Sequence, residues 1–257
     1  MYGSIIEDGL NQLIKQLDGK FQPHSIHGAF QQPLKSVEWE IDNISDGNNF
    51  VNRSLIGSND GINTVFLNFS FTAKNSFQKS MERYETYQKL IAERRKVGKT
   101  EEDDDDDDIR RVEVPFKFQV PFPKVDDIDK TSVIKYGIDF KGNLDIDLTK
   151  DIYNNPIIFF CKLEKIPDNK FSTICRLSDC LNSLNFIQPC DFQVQERIIY
   201  FHDDDFNEKD FVTVQMKVLS IVDDILLIEL ELFSVNGVQF STIYQESLII
   251  PKTTSHL

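Results

Sequence analysis

The chain has 257 residues, 40% of them apolar and 21 of them Phe, which is enough to fill the core of one large domain or two ordinary ones. Its formal charge of −14 offers little to the phosphates that dominate nucleic-acid affinity, so nucleic acid is excluded as a partner. No run of about 18 apolar residues exists to span a membrane, and the opening MYGSIIEDGL lacks the basic and apolar regions of a secretory signal, so the protein is expected to stay where it is made or to be imported folded.

Apolar residues at Ile6, Leu10, Leu13, Ile14 and Leu17 recur at helical spacing and predict an amphipathic helix over residues 5–17. The period then changes to two. Strands are predicted over 25–30, 36–41, 50–58 and 64–72, with SDGNN and SNDGIN as the turns between the last three. The first of these strands carries PHSIHGAF, with His24 and His27 three residues apart. On a regular strand such a pair points to opposite faces and cannot grip one ion.

A charged helical run, SMERYETYQKLIAERRKV, comes next, then the tract EEDDDDDD over 101–108 and the proline-bearing VPFKFQVPFPKV. Removing the eight acidic charges leaves −6 for the rest of the chain. Adjacent carboxylates repel and bury nothing, so the tract is expected to be a solvated, disordered insert. Residues 74–127 are therefore read as a connection between an N-terminal unit, 1–73, and a C-terminal unit, 128–257.

In the second unit, extended segments are predicted over 134–140 and 157–163, a helix over 169–184, and strands over 192–201, 211–219, 225–233 and 239–250. The order repeats that of the first unit, as an internal duplication would, and the class is α+β. Cys161, Cys175, Cys180 and Cys190 have no C-x-x-C spacing and sit in core-like sequence, so free buried thiols are expected, with neither zinc, cofactor nor disulfide framework. Along the second helix the stripe Ile174, Leu177, Leu181 and Leu184 leaves Asp179 on roughly the opposite, solvated side.

The stretch PHSIHGAF followed by ISDGNNFVNRSLIGSNDGINTVFLNFSFT resembles the N-terminal half of the type II acyl-CoA thioesterases, in the order and spacing of His24, Ser25, His27, Phe30, Asp46, Gly47, Phe50, Arg53, Ser70 and Phe71. LSDCL, the YFH of Tyr200–His202 and the QES of Gln245–Ser247 resemble motifs of the second half. The resemblance implies a double hot dog, in which two antiparallel sheets each wrap a central helix and join edge to edge. It makes His24 and His27 architectural.

It also implies hydrolysis of fatty acyl-CoA to free fatty acid and coenzyme A, by a water held between an Asp, a Thr or Ser, and a Gln. Asp179 and Gln245 match the first and last. The middle position falls on Val194, which has no hydroxyl, and no Ser or Thr occurs from Asn185 to Val212 to replace it. Val194 divides two expectations: a thioesterase with a substitute donor, or a degenerate paralogue that binds acyl-CoA or a partner without hydrolysis. The chain begins almost at the family's first helix, at Tyr2-Gly3-Ser4, so either the first sheet lacks an edge strand, which would favour a homo-oligomer, or the sequence is truncated. Ser255-His256-Leu257 is a conservative variant of the Ser-Lys-Leu peroxisomal address, read by an import receptor, and predicts the peroxisomal matrix.

Overall fold

Strict alternation of apolar and polar residues gives long strands here, and the strands form one sheet. The computed structural model describes residues 2–17, 19–31, 37–74, 86, 89, 133–142, 156–183, 190–204 and 206–251. The acidic tract, the proline-bearing segment, the charged run before them except residues 86 and 89, and the terminal tripeptide lie outside these residues. So does the side chain of Cys190.

The helix α1 (Tyr2–Ile14) is followed by β1 (Phe21–Phe30), β2 (Glu38–Asp46), β3 (Phe50–Asn59) and β4 (Ile62–Ala73). Further on come β5 (Val133–Lys135), β6 (Ile138–Lys141) and β7 (Ile157–Leu163), then the helices α2 (Lys170–Leu177) and α3 (Cys180–Ser183). Last are β8 (Cys190–Phe201), β9 (Val212–Val222), β10 (Ile225–Phe233) and β11 (Gln239–Pro251). Three of the hairpins turn on two left-handed residues, Asp60-Gly61, Tyr136-Gly137 and Asp223-Asp224, which matches the right-handed twist of the flanking strands.

The eleven strands run β2-β3-β4-β1-β8-β11-β10-β9-β7-β6-β5, all antiparallel. The two sheets expected to join edge to edge form a single continuous sheet among the described residues. Its first four strands and last seven meet where Ser25–Ala29 of β1 pairs with Glu196–Tyr200 of β8. Backbone hydrogen bonds cross that junction, which is why two sheets become one.

The two longer helices, α1 and α2, pack on the sheet and on each other. Ile6, Leu10 and Leu13 of α1 are buried, and a side chain at Gly9 would meet Leu67 at 3.0 Å and Leu55 at 3.3 Å. The glycine lets the helix lie close on β3 and β4. α1 and α2 pack antiparallel, with Arg176 Nη1 3.3 Å from Glu7 Oε2. Farther along, Ser172 Oγ and Asn169 Nδ2 donate to Asn11 Oδ1 at 3.1 and 3.2 Å. The expected helix over 169–184 is broken at Ser178, and Cys161, Cys175 and Cys180 are buried free thiols. No helix among the described residues is long and apolar enough to cross a membrane.

Both histidines of PHSIHGAF are exposed. The β1–β4 register slips at His24, its ring stands edge-on to Phe50 at 5.9 Å, and His27 Nε2 lies 3.6 Å from Glu196 Oε2 across the β1–β8 junction. These contacts are with residues of two other strands, β3 and β8.

Candidate functional site

Asp179 owes its position to the end of α2. Asn169 caps the helix start, its Oδ1 accepting from the Ser172 N–H at 2.8 Å. At the other end the backbone tightens, and the Asp179 N–H donates to the Arg176 carbonyl, three residues back, at 3.1 Å. That tightening rotates Asp179 out of the phase set by Ile174 and Leu177. Extrapolating one helical period across the break predicts a solvated carboxylate, whereas the residue is 1% exposed.

Gln245 lies on β11 opposite Arg197 of β8. The Arg197 side chain is fully buried and occupies the space between Asp179 and Gln245. Its Nη1 donates to Asp179 Oδ1 at 3.0 Å and to Ser178 Oγ at 2.7 Å. Nε and Nη2 both donate to Gln245 Oε1, at 3.0 and 2.5 Å. The two predicted residues are thus brought together, by a third that the sequence reading did not include.

The remaining groups of the cluster are engaged as well. Asp179 Oδ2 accepts from the backbone N–H of Gly3, at the start of α1, at 2.9 Å, where the helix dipole favours negative charge. Gln245 Nε2 donates to Ser247 Oγ at 2.9 Å and to Asn182 Oδ1 at 3.3 Å. Ser178 Oγ donates onward to the Cys175 carbonyl at 2.6 Å. Over the guanidinium lies the ring of Tyr2, its centroid 5.9 Å from Arg197 Cζ. Burial raises the pKa of the Tyr2 phenol, against the opposing pull of a hydrogen bond from the Val194 backbone and of the Arg197 charge.

Val194 is fully buried and its Cα partner across β11 is Ser247. The pairing passes from Glu246↔Glu196 to Ser247↔Val194, leaving Gln195 as an extra residue on β8. This bulge shifts the alternation, so Val194 faces inward while Tyr200 is 37% exposed, although a regular strand would put both on one face. The hydroxyl absent from position 194 is present one strand away, on Ser247.

No protein-family model matches the chain, and no curated protein sequence does. Solved structures do. A crystal structure of the acyl-CoA thioesterase II TesB2 from Mycobacterium marinum superposes with a TM-score of 0.67 at 15% identity, covering 98% of this chain and 89% of that one. The tesB protein of Mycobacterium avium subs. paratuberculosis gives 0.61 at 14% identity over 97% and 86%. A hot dog fold protein of unknown function from Alicyclobacillus acidocaldarius gives 0.67 at 11% over 96% and 86%. The chain has the hot dog fold of the acyl-CoA thioesterases II.

Within that hot dog fold, Arg197 was legible in one respect. It is in phase with Ile199 and Phe201, both buried, so strand alternation alone directs it inward. An inward Arg needs a carboxylate, and Asp179 is the partner the LSDCL motif supplies.

Proposed function

We propose that this protein is a peroxisomal binder of fatty acyl-CoA, built on the thioesterase fold, in which hydrolysis has been lost. The acyl-CoA ligand is taken from the thioesterases of like fold, and the compartment from Ser255-His256-Leu257. The observation that carries the loss of hydrolysis is the buried Arg197 guanidinium, hydrogen-bonded to Asp179 and Gln245 at once. A general base must have a lone pair directed at the water it deprotonates. Here the Arg197 guanidinium, protonated at any physiological pH, fills the space between Asp179 and Gln245 that such a water would need and donates to Asp179 Oδ1, while the carboxylate also accepts from Asn182 Nδ2 and the Gly3 N–H.

A second reading, hydrolysis, is favoured by Ser247, whose hydroxyl sits 2.9 Å from Gln245 Nε2 beside Val194. It requires Arg197 to swing out and a water to replace it.

One experiment separates them: thiol release from octanoyl-, dodecanoyl- and palmitoyl-CoA, with binding of the same ligands followed by calorimetry. Binding with release at the buffer rate is expected, for the wild type and for Val194→Thr alike, because a hydroxyl at 194 does not displace the guanidinium. Turnover above the blank would overturn the proposal in favour of hydrolysis, and its loss in Asp179→Asn at a melting temperature that shows the variant folded would assign it to this carboxylate.

A further inference from the structure

A cavity of about 280 Å³ opens beside α2, on the side of the molecule where β6 and β7 pair. Its floor is apolar, made by the buried Ile138 and Leu163. One wall is the ring of Tyr136, 67% exposed and held outward by the left-handed turn it shares with Gly137. The rim carries two cations, Lys165 and Arg176, and one carboxylate, Glu164.

The mixture is selective. An acyl tail would want apolar walls as well as an apolar floor, and a bare phosphate would leave most of the volume and the aromatic ring unused. A flat ring with amine donors and an anionic end uses every part. The base stacks on Tyr136, Glu164 accepts from an exocyclic amine, and phosphate meets Lys165 and Arg176. Arg176 is already paired with Glu7, 3.3 Å away, so its guanidinium is placed before a ligand arrives, and a phosphate shares it with that carboxylate.

We propose that this cavity binds a phosphorylated adenosine, the nucleotide end of coenzyme A. Only the choice of coenzyme A over a free nucleotide rests on the acyl-CoA reading.

The test is calorimetry on the full chain with coenzyme A, 3′-phosphoadenosine 5′-phosphate, ADP, adenosine and pyrophosphate, repeated with Lys165→Glu and Tyr136→Ala. Both substituted side chains are exposed, so unchanged melting temperatures will certify folding. The expected result is binding of the phosphorylated adenosines, weakened about tenfold in either variant, the size of one charge-assisted hydrogen bond or one base stack. Pyrophosphate and adenosine each lack one half of the ligand and should bind more weakly. A stronger response to 3′-phosphoadenosine 5′-phosphate than to ADP identifies coenzyme A as the source, and an equal response identifies a free nucleotide; both support the cavity. Absence of nucleotide binding, or affinities equal in wild type and both variants, overturns the assignment. Should dodecanoyl-CoA still bind in that event, the acyl-CoA reading stands without the cavity. If nucleotides bind and dodecanoyl-CoA binds no more tightly, the acyl-CoA reading fails and the cavity remains.

Discussion

Arg197 is the residue on which the centre turns. Taking a guanidinium and a carboxylate out of water costs several kcal/mol per ion, so the pair is retained only because its geometry returns that cost. Two Arg197 nitrogens reach Gln245 and a third serves both Asp179 and Ser178, every contact between 2.5 and 3.0 Å. Removing the carboxylate alone leaves a charge that cannot be neutralised by proton loss. Asp179→Ala is therefore expected to cost about 3 to 5 kcal/mol, on the order of 10 °C in melting temperature for a chain of this size. Asp179→Ala combined with Arg197→Met should recover most of the loss, since no buried charge is then left. Thermal unfolding of the two variants measures this, and equal losses in both would mean that packing, not the unpaired charge, sets the cost. A pair of this kind is invisible to a composition count, yet Arg197 stands in phase with Ile199 and Phe201, and that phase was there to be read.

Among the elements, strands were the more legible. Predicted and observed limits coincide for Ile157–Leu163 and Ile225–Phe233, because alternation over a half-buried surface is a strong and local signal. Helices were less so. α1 begins at Tyr2 and stops at Ile14, whereas its apolar stripe predicts residues 5–17, because its first turn is fixed by tertiary contacts rather than by an apolar period. The break at Ser178 buries Asp179, which the helical stripe predicts on the solvated side, and the bulge at Gln195 turns Val194 inward, out of the alternation set by Arg197, Ile199 and Phe201. The approach of α1 to α2 depends on Gly3, where a Cβ would lie 2.2 Å from the Cys175 carbonyl oxygen. Backbone cannot yield as a flexible side chain does. Gly3→Ala should separate the helix ends, weaken the 2.9 Å bond from the Gly3 N–H to Asp179 and lower stability by about 1 to 3 kcal/mol. Chemical denaturation will show it, and a loss of a few tenths would mean that α1 simply starts later in solution.

At the scale of the whole molecule, most of the element order and the antiparallel pairing were readable from the periodicity, and the fold from the quoted motifs, but the extended segment predicted over 134–140 is the hairpin β5–β6, turned at Tyr136-Gly137. The joining of the two halves edge to edge came from the resemblance alone and its register from neither source, because the pairing of Ser25–Ala29 with Glu196–Tyr200 joins segments about 170 residues apart, and no local pattern encodes a partner at that separation. Localisation belongs to this scale too. With a fluorescent protein at the N-terminus, Ser255-His256-Leu257 is expected to direct the chain to peroxisomal puncta, and deleting Leu257 should make the signal diffuse. Puncta that persist in the deletion, in cells without any other copy of the chain, would show that the tripeptide is not the address.

The antiparallel contact of α1 with α2 bears on how such a chain could be divided. Gly3, Glu7 and Asn11 bond to Asp179, Arg176 and Ser172 in turn, and the strands beside them continue one another through β1 and β8. What lies before residue 75 carries one side of the centre, and what lies after residue 132 carries the other. A gene parted between those points would encode two obligate subunits rather than two independent proteins, each displaying on its helix the groups the other lacks. The charge pair itself, Asp179 with Arg197, lies wholly after residue 132, so that portion taken alone would keep a buried pair stripped of the Gly3 N–H and the Tyr2 ring.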